Sequence, residues 1–368
     1  MLFLRPSELP ETTGEAAGKP FNQRCVTMKN ETYKAAIYRD RGCVDVVTLP
    51  YPECGDDDII IKNLMAGICG TDVAAYRHGD PRPVWKDSEF GHEVISEVVE
   101  IGKNVRGLEL GDRVWPNQGY ALRDRRRMSN VGAFSEYLRI PQCEVGYSVF
   151  KIDKDIPLKT AVLLEPFMVG ARGMIGLNPG PGKTAIVFGA GIIGMSAAIM
   201  LKWYGCNKVM IVDVADNRLE NAAKFDLVTC NPNNEDLKAK AIREFGVRNG
   251  FSGEGCDADF YIDALSLPVA IDNFTQLAGR NASLAVLGVH HEPVPINLKF
   301  LCYNNWHIQG CGDTPSEIAA VDVLALMKSG KYDLSSLVSH EFDIDRIVDA
   351  LVMGGNSREA QKVCISYL

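Results

Sequence analysis

A thiol, an imidazole and a carboxylate are side chains that zinc prefers, and this chain offers all three in two short segments, Cys69-Gly70-Thr71-Asp72 and Gly91-His92-Glu93. A further acid, Glu165, stands before Pro166. An ion held by such a set would act as a Lewis acid on a bound oxygen. Taken singly, a cysteine in a β-rich region is usually core and a histidine usually a satisfied polar contact. Only the combination argues for metal. His92-Glu93 also begins like the H-E-x-x-H of a zinc protease. Position 96 is serine, however, and Val94 to Val99 reads as strand, so protease chemistry is excluded.

The second constellation is Gly189-Ala190-Gly191-Ile192-Ile193-Gly194, the pattern G-x-G-x-x-G. The motif alone is weak. Here it follows the short apolar run Thr184–Phe188 and opens the helical-length stretch Ile192–Trp203, and Asp213 closes the next apolar run. Gly189 permits the tight turn, Gly191 lets a pyrophosphate approach, and Gly194 lets helix and strand pack closely. The helix start at Ile192 and Ile193 supplies N–H donors for phosphate. Asp213 should accept from the adenosine ribose hydroxyls and repel a 2′-phosphate, which favours NAD over NADP. Arg218 either flanks the adenosine or is a solvated helix residue. Gly180-Pro181-Gly182-Lys183-Thr184 imitates the end of a P-loop, but Leu177 occupies the position of the required first glycine.

These groups need elements to hold them. With 368 residues the chain is long for one core. From residue 26 to 175, short apolar runs separated by turn residues suggest an irregular β domain. From 176 to 312, strands and helices alternate, the rhythm of a parallel sheet covered on both faces. Residues 313–368 carry the helix Ser316–Lys328, a strand, a short helix and the final strand Lys362–Ser366. Residues 1–25 read as an extension without a secretory pattern. The net charge of −8 and pI of about 5.4 argue against a nucleic-acid or anionic-membrane partner, and no apolar run is long enough to span a bilayer. The odd total of 11 scattered cysteines, with no C-x-x-C pair, predicts free thiols in a reducing cytoplasm.

Taken together, the Cys69 segment, Gly91-His92-Glu93, Gly111-Asp112-Arg113-Val114, Glu165-Pro166 and the glycine turn with Asp213 resemble the zinc-containing medium-chain alcohol dehydrogenases, in particular the sorbitol or polyol branch. The resemblance runs from about residue 30 to the C-terminus. It implies an α/β protein with a Rossmann doubly wound parallel sheet at 176–312 and a β-rich GroES-like catalytic domain assembled from 26–175 and 313–368, with the active site in the cleft. It also implies hydride transfer between NAD and a secondary alcohol of the polyol, sugar or cyclitol class. Cys69 and His92 are then zinc ligands. Glu93 is a third ligand with water as the fourth, and Glu165 is an acid beside the metal. Which glutamate binds stays open. Asp72 orients the His92 ring, and Thr71 carries the proton from the substrate oxygen.

Two departures from the family matter. Val73-Ala74-Ala75-Tyr76 lacks the histidine that often completes the proton relay, leaving His78, the nicotinamide ribose or water as substitutes. Only Cys143 lies between Gly111 and Glu165, so one zinc per chain is expected rather than two. Tyr76, Arg77, Trp115 and Asn304–Trp306 are candidate pocket residues. The basic run Arg123–Arg127 is either a solvated loop or an attractor of anionic substrates. The family pairs through its cofactor domains, so a homodimer or homotetramer is expected, with Ser283–Leu287 and His307–Gly310 near the contact. Alternatives are a ketone or aldehyde reductase of the same fold, or a non-catalytic dinucleotide-binding protein.

Overall fold

The amino-terminal half folds into short strands, several of them rich in β-branched residues, that pair into two sheets. A computed structural model describes residues 31–79, 84–117, 132–251, 253–312 and 316–368. The segment 1–25 and the run Arg123–Arg127 lie outside them. Strands β1 (Thr32–Asp40), β2 (Cys43–Pro50), β3 (Ile59–Gly67), β4 (Ser88–Glu89), β5 (Glu93–Ile101), β6 (Arg113–Pro116), β7 (Tyr137–Ile140) and β8 (Val149–Lys151) occupy this region. β1 pairs with β2 and β4, and β3 pairs antiparallel with β5, setting Gly67 opposite Glu93. Ile59, Ile60 and Ile61 are all fully buried, as expected for a strand covered on both faces.

The nucleotide half contains β9 (Thr184–Phe188), β10 (Lys208–Val212), β11 (Val228–Cys230), β12 (Val247–Gly250), β13 (Gly253–Cys256), β14 (Phe260–Asp263), β15 (Ser283–Val286) and β16 (His307–Gly310). Six of them form a parallel sheet in the order β11-β10-β9-β14-β15-β16. The order reverses between β9 and β14. In such sheets the crevice outside the carboxyl ends at the reversal is where ligands bind. The remaining two, β12 and β13, form an antiparallel pair that the sequence pattern did not suggest. Their residues, Val247-Arg248-Asn249-Gly250 and Gly253-Glu254-Gly255-Cys256, are glycine-rich and lack apolar alternation. The helix Leu298–Asn304 was likewise not foreseen.

The chain then returns to the first half. β17 (Val338–Phe342) and β18 (Lys362–Ser366) extend the amino-terminal sheet, giving the order β17-β18-β3-β5-β6-β8. One apolar cluster runs from Met65 and Trp115 through Phe167 and Met168 to Val187 and Ile211, so the halves share a core. Within it, helices Leu164–Arg172 and Ile192–Trp203 pack closely, and the Ser196 hydroxyl donates to the Pro166 carbonyl at 3.0 Å. No helix among the described residues is long and apolar enough to cross a membrane.

Gly194 shows how tightly the nucleotide turn is built. A Cβ there would overlap the Gly189 carbonyl oxygen, which belongs to the rigid backbone of the turn. Gly194→Ala should therefore lower stability by about 1–3 kcal/mol through overpacking, read as a lower urea midpoint at unchanged slope. A wild-type midpoint would show that the turn has slack.

Candidate metal and cofactor site

The β3–β5 pairing brings the first two chemical segments together. β3 ends at Gly67 and passes through Ile68 to Cys69, the N-cap of helix Gly70–His78. Asp72 fixes this corner: its Oδ2 accepts from the Cys69 backbone N–H at 2.9 Å. β5 begins at Glu93, opposite Gly67, so His92 arrives at the same corner from the neighbouring strand. Candidate ligand atoms of Cys69, His92 and Glu93 all lie within 4.8 Å of one another. Glu165, in the first turn of Leu164–Arg172, falls outside that grouping.

The donor set suits zinc in softness and charge. Two buried polar atoms beside it, the Thr71 hydroxyl and Asp72 Oδ1, have no hydrogen-bond partner among the described residues. Asp72 Oδ1 lies 3.7 Å from His92 Nδ1, where a modest ring rotation would satisfy it. Burial lowers the affinity of His92 for a proton, but Cys69, Asp72 and Glu165 outweigh it and raise the imidazole well above its ordinary value. Burial raises the Asp72 carboxyl, with His92 and the Cys69 N–H pulling the other way. Burial likewise raises Glu165, opposed by His92 and reinforced by Glu93.

Sequence reasoning missed the group that balances this pocket. Lys362, the first residue of β18, forms an ion pair with Glu93 and donates to the Ile68 carbonyl at 2.8 Å. Both side chains are about 1% exposed. Burial pulls the ammonium down, but Glu93 and Cys69 more than compensate, so Lys362 is held charged. Gly67 makes room for the pair, since a Cβ there would overlap the Glu93 carboxylate. The only cue in the sequence was a lysine heading the apolar run Val363-Cys364-Ile365.

At the glycine turn, Asp213 Oδ2 accepts from the Ala190 N–H at 2.7 Å and Oδ1 from the Ala215 N–H at 2.9 Å. Gly191 caps the helix that begins Ile192-Ile193-Gly194. Arg218 is not a solvated helix residue. Its guanidinium is largely buried, donates to the Ala360 carbonyl at 3.2 Å and lies 4.0 Å from Asp213. Gln361 donates to the Ala190 carbonyl at 2.8 Å. The segment Ala360–Lys362 thus touches the glycine turn on one side and the metal-site acid on the other.

Several candidate pocket residues also make contacts within the fold. Arg77 caps helix Ile347–Gly354, donating to the Val352 and Gly355 carbonyls. Trp306 packs on Phe274 with ring centroids 4.7 Å apart, and Asn304 accepts from the Phe251 N–H. Trp115 is buried in the shared core beside Phe150.

Comparison with known proteins follows this geometry. Residues 55–151 match the alcohol dehydrogenase GroES-like domain family, and residues 193–325 match the zinc-binding dehydrogenase family. The L-threonine 3-dehydrogenase of Pectobacterium carotovorum subsp. carotovorum is 30% identical over 318 residues, spanning 82% of this chain and 89% of that one. The 2R,3R-butanediol dehydrogenase structure from Bacillus subtilis superposes with a TM-score of 0.78 at 21% identity, covering 91% of this chain and all of that one. Galactitol-1-phosphate dehydrogenase from Escherichia coli gives a TM-score of 0.76 at 20% identity, covering 90% and 99%.

Breaking a buried pair strands a charge, at a cost of about 3–5 kcal/mol. Lys362→Met in metal-stripped protein should lose stability on that scale, and adding Glu93→Gln should recover most of it. Urea unfolding of the three proteins checks this. Equal stability of Lys362→Met and wild type would refute the role given to the pair.

Proposed function

This chain belongs to the zinc-containing medium-chain dehydrogenases as a zinc-dependent, NAD(P)-using alcohol dehydrogenase, and from that premise we propose how its own residues divide the work and which alcohols it takes. The observation that carries the reading is the approach of the Cys69 and His92 ligand atoms to within 4.8 Å of each other, beside a Thr71 hydroxyl that has no partner among the described residues. Bound zinc would supply a Lewis acid for the substrate oxygen, and bound nicotinamide a hydride acceptor. Cys69 and His92 would hold the ion. Of the two acids, Glu165 takes the third position, because the charge of Glu93 is already balanced by Lys362. Asp72 fixes the His92 ring, and the Thr71 hydroxyl relays the proton, accepting the one on the substrate oxygen while passing its own on toward solvent.

The substrate class we favour is a secondary alcohol beside another polar carbon, as in polyols, sugars and cyclitols. L-Threonine, 2,3-butanediol and galactitol 1-phosphate, the compounds in the names of its relatives, share that feature. We favour NAD over NADP. The Asp213 carboxylate is fixed by two backbone N–H groups at the strand end, where a 2′-phosphate would meet its charge. We also read β16, an edge strand with the half-exposed Ile308, as a subunit contact in a homo-oligomer.

Metal analysis and binding assays test the assignment. Cys69→Ala should lose zinc and turnover with polyols, cyclitols and amino alcohols while NADH still binds within about twofold of wild type, because the thiol and the glycine turn lie in separate segments. Glu165→Gln should weaken zinc retention by about 10–100-fold and Glu93→Gln much less. The reverse order would give the third position to Glu93. Because the His92 proton must leave before the ring can ligate, zinc should be released as the pH falls.

The cofactor choice has its own test. Asp213→Ala should narrow the NAD over NADP preference in kcat/KM by about tenfold, corresponding to about 1.4 kcal/mol. An unchanged ratio would remove Asp213 from the discrimination.

A further inference from the structure

The described residues hold a second buried acid–base pair, away from the metal ligands, and no motif pointed to it. Asp263, the last residue of β14, is fully buried, and its Oδ2 lies 2.6 Å from His290 Nε2. Its Oδ1 accepts from the Leu265 and Ser266 N–H groups at 3.0 and 3.3 Å. Its carbonyl accepts from the Leu287 and Gly288 N–H groups, each at 3.0 Å. One residue therefore ties together the loops that follow β14 and β15.

Those loops border the cofactor crevice. β14 pairs with β9, aligning Asp263 with Phe188, the residue before the glycine turn. A Cβ on Gly189 would lie 3.0 Å from the Ala264 carbonyl and from the Leu265 side chain. In turn, Gly288 packs against Ser266, where a Cβ would lie 2.6 Å from the backbone nitrogen. An unbroken line of contacts leads from the pyrophosphate turn to His290.

Symmetry of the fold then says what His290 faces. The sheet consists of two halves that diverge from the reversal between β9 and β14. Asp213 sits at the end of β10, one strand outward from β9, facing the first riboside of a dinucleotide. His290 follows β15, one strand outward from β14, and so stands toward the second riboside. The hydrogen bonding agrees. A carboxylate only accepts, so Nε2–H donates to Asp263, and Nδ1 has no partner among the described residues. A ring nitrogen held open beyond the carboxyl end of β15 by a buried acid suits a ribose hydroxyl, which can both donate and accept.

We propose that His290, fixed by Asp263, reads the hydroxyl groups of the nicotinamide-side ribose. This rests on the dinucleotide reading of the cleft. His290 is the contacting residue and Asp263 the positioning residue.

The test uses the zinc-loaded protein and calorimetric titration with three probes. NADH and ADP-ribose both contain the second ribose, and ADP does not. His290→Ala should weaken NADH and ADP-ribose by about tenfold and leave ADP within about twofold. Equal weakening of all three, no weakening, or a loss confined to NADH would overturn the assignment. Asp263→Ser guards against a folding defect in the first variant. It keeps an oxygen acceptor near Leu265 and Ser266 but is too short to hold His290 Nε2 as well, so the ring is present but no longer fixed. The same selective loss is expected, and unchanged ADP-ribose binding would overturn the role of Asp263. A wild-type chain that bound no ADP would instead mean that the dinucleotide reading had failed, and this proposal with it.

Discussion

A buried ammonium and carboxylate share the space beneath the corner where Cys69 and His92 meet, and the geometry around them follows from pairing the two. Glu93 enters from the start of β5 and Lys362 from the start of β18, with the glycine end of β3 between them. Each charge alone would be expensive at that depth, so the two strands must arrive together. The register that satisfies this demand also sets Cys69 and His92 side by side. The lysine leaves the pocket with enough negative charge for a dication without an unbalanced excess of acids.

The same short segment reaches the nucleotide half. Ala360 accepts from Arg218, Gln361 donates to the glycine turn, and Lys362 pairs with Glu93. A second bridge runs through the helices, where Ser196, from the helix opened by the glycine turn, holds the carbonyl of Pro166, next to Glu165. Glu93 and Glu165 are thus tied to the glycine turn by two routes of a few bonds each. A reaction between an oxygen at the metal and a ring on the dinucleotide needs the two positioned to within a fraction of an ångström. Shared strands and helices supply that better than loops would.

The cofactor crevice is framed by two buried acids with different partners. Asp213 takes backbone N–H groups, whereas Asp263 takes two N–H groups and an imidazole. Acids at strand ends organise the loops that follow, because a carboxylate can satisfy several otherwise unpaired donors at once. That economy explains why both strands stop where they do.

Periodicity and short motifs made much of this protein legible from its residues. The alternating strands and helices from Thr184 to Gly310, the glycine turn and Asp213, and the segments carrying Cys69, His92 and Glu165 all have local signals, because a turn, a cap or a strand is decided by neighbours in sequence. The hairpin of β12 and β13 was invisible, because glycine-rich strands carry no apolar alternation. The pairs Glu93–Lys362 and Asp263–His290 were invisible for a different reason. Their partners lie far apart in the chain and meet only when strands align, so no window of sequence contains the interaction. Local chemistry named the side chains able to hold a metal and a dinucleotide. Tertiary packing decided which charges are balanced, which donors stay open, and therefore how each of those side chains can act.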